Sequence, residues 1–118
     1  MTRQRIALAI LFALFASTAQ AASPAVKRAY TAEFYLSGCK DFISGQSNFL
    51  SGRCVGAVEV LDALSQDTKA FCAPDATNNL ERVRVVVTYI EAQPDRMKDD
   101  FRLLANEAMA KAWPCKAK

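Results

Sequence analysis

Histidine is missing altogether from these 118 residues. With it go the commonest general base and every Ser-His or Cys-His nucleophile pair. No Cys-x-x-Cys pair occurs either, and structural zinc usually takes its ligands from such close pairs, so no metal or other cofactor is expected. Only 4 glycines are present, and none forms a phosphate-cradling loop. The 15 Lys and Arg against 12 Asp and Glu contain no basic block, which removes the usual electrostatic footprint of nucleic-acid binding. The longest apolar run, Ile6 to Ala16, has eleven residues, where a membrane-spanning helix needs about 20.

That short run has the flanks of a secretion signal. Arg3 and Arg5 precede it, and Ser17-Thr18-Ala19-Gln20-Ala21-Ala22 follows, with Ala19 and Ala21 in the small-x-small pattern of a signal-peptidase site. Cleavage is expected after Ala21 or Ala22, leaving residues 22–118 as one domain of about 97 residues with one modest core. No cysteine follows the cut, so no lipid anchor is expected, and the exported chain should not stay in the membrane. Losing Arg3 and Arg5 lowers the formal charge from +3 to about +1.

Four cysteines, Cys39, Cys54, Cys72 and Cys115, in a small exported domain read as two disulfides with three possible connectivities. Helical patterning chooses among them. A first helix is expected from Val26 through Ile43, ending at Ser44-Gly45-Gln46-Ser47-Asn48. A second, Phe49 to Leu64, aligns Leu50, Cys54, Val58 and Leu61, with Gly52 and Gly56 letting another backbone come close. The third, Asn79 to Ala92, competes with a strand because Val85-Val86-Val87-x-x-Ile90 is β-branched. The Asn78/Glu81 capping box and the stripe Leu80, Val83, Val87, Ile90 favour helix. Pro94 and Asp95 open a fourth, lined by Met97, Phe101, Leu104, Ala105, Ala108 and Ala112.

Short connections make this an all-α, disulfide-stapled four-helix up-and-down bundle. Cys39 and Cys54 then face each other across the first turn, while Cys72 and Cys115 emerge together at the end of the second and fourth helices. Joining Cys54 to Cys72 needs a span of about 27 Å at 1.5 Å per residue, far beyond disulfide reach. The expected bridges are Cys39–Cys54 and Cys72–Cys115.

Little remains for catalysis, and the chain reads as a non-enzyme. Glu59 with Asp62, one helical turn apart, and Asp99 with Asp100 after Asp95 are candidate paired acids, but no other polar groups converge on them. Phe34, Phe42, Phe49, Phe71, Phe101 and Trp113 fall mostly at core spacing. Arg82, Arg84 and the connection Gln66 to Ala76 are the expected partner-facing elements.

Phe71-Cys72-x-Pro74, Thr77, Val85-Val86-Val87-x-Tyr89-Ile90, Pro94, Leu104-x-x-Glu107-Ala108 and Ala112-Trp113-Pro114-Cys115, with Cys39 and Cys54-x-Gly56 upstream, resemble the Rap/Tai-type immunity proteins associated with type VI secretion. The likeness runs from about Leu36 to Cys115 and departs from the family pattern at Ala57, around Val60 and at Leu80. The resemblance implies an α-helical periplasmic inhibitor, in many members a homodimer. Its partner in the amidase-immunity members is a secreted peptidoglycan amidase, whose active-site cleft it plugs. A general periplasmic stress or chaperone-like helical protein is the alternative at this size.

Overall fold

A computed structural model describes residues 28–116; the expected signal, Met1 to Ala21, and the expected helix start at Val26 lie outside the described residues. Among the described residues four bounded α-helices follow one another: α1 (Ala32–Ile43), α2 (Phe49–Thr68), α3 (Asn79–Glu91) and α4 (Phe101–Ala112). A single 3-10 turn, Pro94–Arg96, lies between α3 and α4. Neighbouring helices run up and down around a core that includes Val58, Phe71, Val83, Ile90, Phe101 and Leu104.

The third segment is helical despite its β-branched run. Asn78 accepts from the Glu81 N–H at 2.9 Å, and the Glu81 carboxylate accepts from the Asn78 N–H at 3.1 Å, so the capping box relieves two of the N–H groups a helix start leaves unpaired. Val83, Val86, Val87 and Ile90 are buried along one side. Burial of that stripe outweighs a small propensity deficit.

The expected start of the fourth helix is corrected, and the expected first helix is interrupted within the described residues: Arg28 is helical, Ala29 and Tyr30 turn, and Thr31 is extended (ψ 153°) and pairs with Asp100 as an isolated bridge, so α1 opens at Ala32. The Thr31 side chain caps nothing in α1. Instead, Ala32 N–H donates to the Asp99 carbonyl and Glu33 N–H to the Met97 carbonyl, both at 2.9 Å, and Phe101 N–H returns a bond to the Tyr30 carbonyl at 2.7 Å. Those acceptors come from the stretch expected to open the fourth helix. With carbonyls of Met97 and Asp99 committed to α1, the stretch forms only the 3-10 turn, and α4 starts seven residues later than a Pro94 start predicts, under the Asp100 cap to Arg102 N–H at 2.9 Å. Met97 accordingly packs against the core from outside any helix, and Ala112 is exposed.

The α2 helix also runs past Leu64 to Thr68 and ends where Lys69 turns left-handed (φ 56°). Both disulfides join as the bundle geometry requires: Cα atoms are 5.2 Å apart for Cys39–Cys54 and 4.9 Å for Cys72–Cys115. Cys72 N–H also donates to the Trp113 carbonyl at 2.8 Å, tying the chain end to the α2–α3 connection. Phe71, fully buried beside Cys72, anchors that connection in the core.

Gly52 and Gly56 are not where helices meet, since a Cβ at either has nothing within 4 Å. The close approach is at Gly38 on α1. A Cβ there would lie 2.5 Å from the Leu50 carbonyl carbon and 2.9 Å from Leu50 Cβ.

Candidate protein-interaction surfaces

The paired acids singled out in the sequence do not converge. Glu59 accepts from Asn79 Nδ2 at 2.5 Å, and Asp62 pairs with Arg82 at 3.1 Å, so both tie α2 to α3. Asp99 holds Arg96 at 2.8 Å, and Asp100 caps α4 and holds Arg102 at 2.5 Å. The Arg102 guanidinium keeps the Asp100 carboxyl below its usual range, which favours the charged cap. Each of these carboxylates acts as a strut between segments or as a helix cap.

Arg82 is corrected from its expected partner-facing role. Its side chain is only 11% exposed and is spent on Asp62 and on Asn79 Oδ1 at 3.3 Å, while its Nε is buried without a partner. Arg84, two residues on, is exposed as expected. The Gln66 to Ala76 connection is mostly exposed too, although buried Phe71 fixes its middle.

The aromatics also divide differently from the expectation. Phe71 and Phe101 are core, and Phe42 and Trp113 pack partly against it, but Phe34 is at the surface and Phe49 is 76% exposed. The physical reason lies in Tyr35, which takes the buried place on α1 and stacks on Phe101 with centroids 4.3 Å apart. Phe34 is thereby turned outward. Arg53 lies across the result, its guanidinium 4.8 Å from the Phe34 centroid, 5.0 Å from Tyr35 and 5.9 Å from Phe49. It also donates to the Ala29 carbonyl at 3.0 Å and to the Tyr35 hydroxyl at 3.1 Å.

Phe49 begins an outward stripe on α2. Ser51, Cys54, Val58 and Ser65 face the core, and on the opposite side Phe49, Gly52, Gly56, Val60 and Ala63 follow at spacings of three and four. Val60 is 58% exposed, and Leu64 beside it 53%. A helix apolar on both sides is normally covered on both, and aromatic residues with arginine are typical of interface centres.

A second feature lies on another side, between α3 and α4. Val85, Tyr89, Ala108 and Ala112 line a mainly apolar groove of about 530 Å3, open to solvent, with Arg84 and Lys111 also in its walls. The Tyr89 hydroxyl donates to Glu107 at 2.9 Å, and Glu107 accepts from Arg96 at 2.7 and 3.2 Å. Arg96 and Tyr89 hold the Glu107 carboxyl below its ordinary range, Arg96 being the larger cause. No helix among the described residues is long and apolar enough to cross a membrane.

Comparison with known proteins gives one match: the family model described as Rap1a immunity proteins covers residues 15–115. No curated protein and no solved structure matches.

Proposed function

The chain belongs to the Rap1a immunity proteins, and we propose that it is an exported periplasmic inhibitor, released by cleavage of residues 1–21. In this reading it binds a toxin delivered by a type VI secretion system, a peptidoglycan amidase, and blocks it by covering the active-site cleft. The observation that carries the reading is the family match over nearly the whole chain. Supporting it, Glu59, Asp62, Asp99 and Asp100 are engaged as struts and caps, and the accessible features are surfaces suited to a protein partner. The mechanism is steric and needs no chemistry from the inhibitor.

The test is direct. The effector encoded beside this gene is expressed in the periplasm with and without the protein, and its peptidoglycan hydrolysis is measured with increasing inhibitor. Survival and loss of hydrolysis near one equivalent are expected. Undiminished toxicity ends the reading, and suppression of unrelated protein aggregation at low pH without effect on the effector supports the chaperone-like alternative instead.

We further propose that the outward face of α2 pairs two copies. An antiparallel α2–α2 contact centred on Gly56 sets Phe49 against the partner subunit's Ala63 and Val60 against the partner subunit's Gly52, a large side chain facing a small one each time, as a two-fold interface requires. The open space at both glycines lets the helices approach closely. Light scattering is expected to give a dimer that Gly56→Leu converts to monomer; a wild-type monomer at high concentration removes this part.

A further inference from the structure

We infer that the α3–α4 groove is the docking site for an acidic, apolar segment of the partner protein. The inference rests on the immunity reading and adds to it a place and a chemistry. A carboxylate is selected by charge. Arg84 and Lys111 both line the groove, no acid lines it, and neither cation has an ion-pair partner among the described residues. Glu107, one turn before Lys111 on α4, is already neutralised by Arg96 and held by the Tyr89 hydroxyl, so it does not oppose an incoming anion.

The apolar half follows from the walls. Val85, Ala108 and Ala112 present small aliphatic surface, and the Tyr89 ring forms a fixed face, its hydroxyl anchored to Glu107 and the Lys111 ammonium 5.9 Å from its centroid. α3 and α4 run antiparallel, so Arg84, in the first half of α3, and Lys111, in the last turn of α4, lie toward the same end of the groove. The occupant therefore places its carboxylate at that end and an aliphatic side chain along the alanines. Openness favours a protein segment over a free small ligand. Small-ligand sites enclose most of their occupant, whereas a helix-sized groove open on one side suits a segment that brings its own cover.

Both cations are exposed and, among the described residues, free of ion pairs, so Arg84→Glu/Lys111→Glu should fold normally, as circular dichroism will verify. Three probes are titrated into the oxidised protein and followed by amide chemical shifts: a capped Leu/Glu hexapeptide, its Leu/Lys counterpart, and decanoate. The Leu/Glu peptide is expected to shift Arg84, Thr88, Tyr89, Lys111 and Ala112, with affinity lowered at least about tenfold in the double variant, the size expected for losing charge-assisted contacts. Equal binding of the Leu/Lys peptide, no binding of either peptide, or binding of decanoate alone overturns the proposal. Effector protection separates the two levels. Protection by wild type and equally by the double variant overturns the groove while leaving the immunity role standing, and no protection by wild type overturns the role itself.

Discussion

Replacing Gly38 with alanine tests the tightest contact in the fold. The added Cβ would stand 2.5 Å from the Leu50 carbonyl carbon and 2.9 Å from Leu50 Cβ, where carbon atoms pack best at about 3.5–4.0 Å. Relief requires α1 and α2 to separate by roughly 1 Å. The obstacle is mostly backbone, so no rotamer change avoids it, and the Cys39–Cys54 bridge one residue away holds the two helices together. Overpacking of this kind costs about 1–3 kcal/mol, while alanine in place of glycine in a helix returns about 1 kcal/mol. Backbone atoms cannot yield, so the cost falls in the upper part of that range, about 2–3 kcal/mol, leaving a net loss of about 1–2 kcal/mol and a Tm lower by roughly 5–15 °C for a domain of this size. Gly52→Ala, scanned at concentrations where the chain is monomeric, is the internal control: nothing within the chain lies within 4 Å of its Cβ, so it should keep the propensity gain, up to about 1 kcal/mol, and raise Tm. Both are read by calorimetry under non-reducing conditions. A Gly38→Ala protein as stable as wild type refutes the close approach and the reasoning built on it.

Neighbouring arginines should behave oppositely: Arg82→Ala strands Asp62 and is expected to cost about 2 kcal/mol, whereas Arg84→Ala stays within about 0.5 kcal/mol, both by urea unfolding. Removing Cys72–Cys115, which closes a sequence separation of 43, should cost about 4 kcal/mol, and Cys39–Cys54, with a separation of 15, about 3 kcal/mol in the loop-entropy account; because paired Cys→Ala replacement adds a cavity cost at buried Cys39 and Cys54, the two losses should come close together, and a Cys72–Cys115 loss below about 2 kcal/mol would contradict the account. Glu107 has a lowered folded-state pKa, so its stabilisation is complete above the unfolded value of about 4.3 and is lost as pH falls through the folded one. Glu107→Gln should therefore lose stability at pH 7 and show a flatter acid limb in unfolding titrations between pH 6 and 2. An unchanged limb would place the acid sensitivity elsewhere.

The bundle, the capping box of α3 and both disulfide pairings were legible in the sequence, because each depends on spacing along one helix or on short turns between antiparallel neighbours. Cys39 and Cys54 sit on either side of one turn, and Asn78 and Glu81 are three residues apart; nothing distant has to be known. The partner-facing residues were less legible. Arg82 and Arg84 look alike in sequence, and only the placement of Asp62 across the α2–α3 contact buries one and leaves the other free.

By itself the sequence determined four amphipathic helices, two staples and the family to which they belong. Tertiary structure decided where α1 and α4 open, since the N–H groups of Ala32 and Glu33 take carbonyls more than sixty positions away. It also decided that Gly38 rather than Gly52 or Gly56 lets two helices meet, and that Phe34 and Phe49 face outward while Tyr35 and Phe101 stack inside. Periodicity reports which side of a helix is apolar, but which apolar group finds cover depends on residues far apart in the chain, and that is settled only when the helices pack.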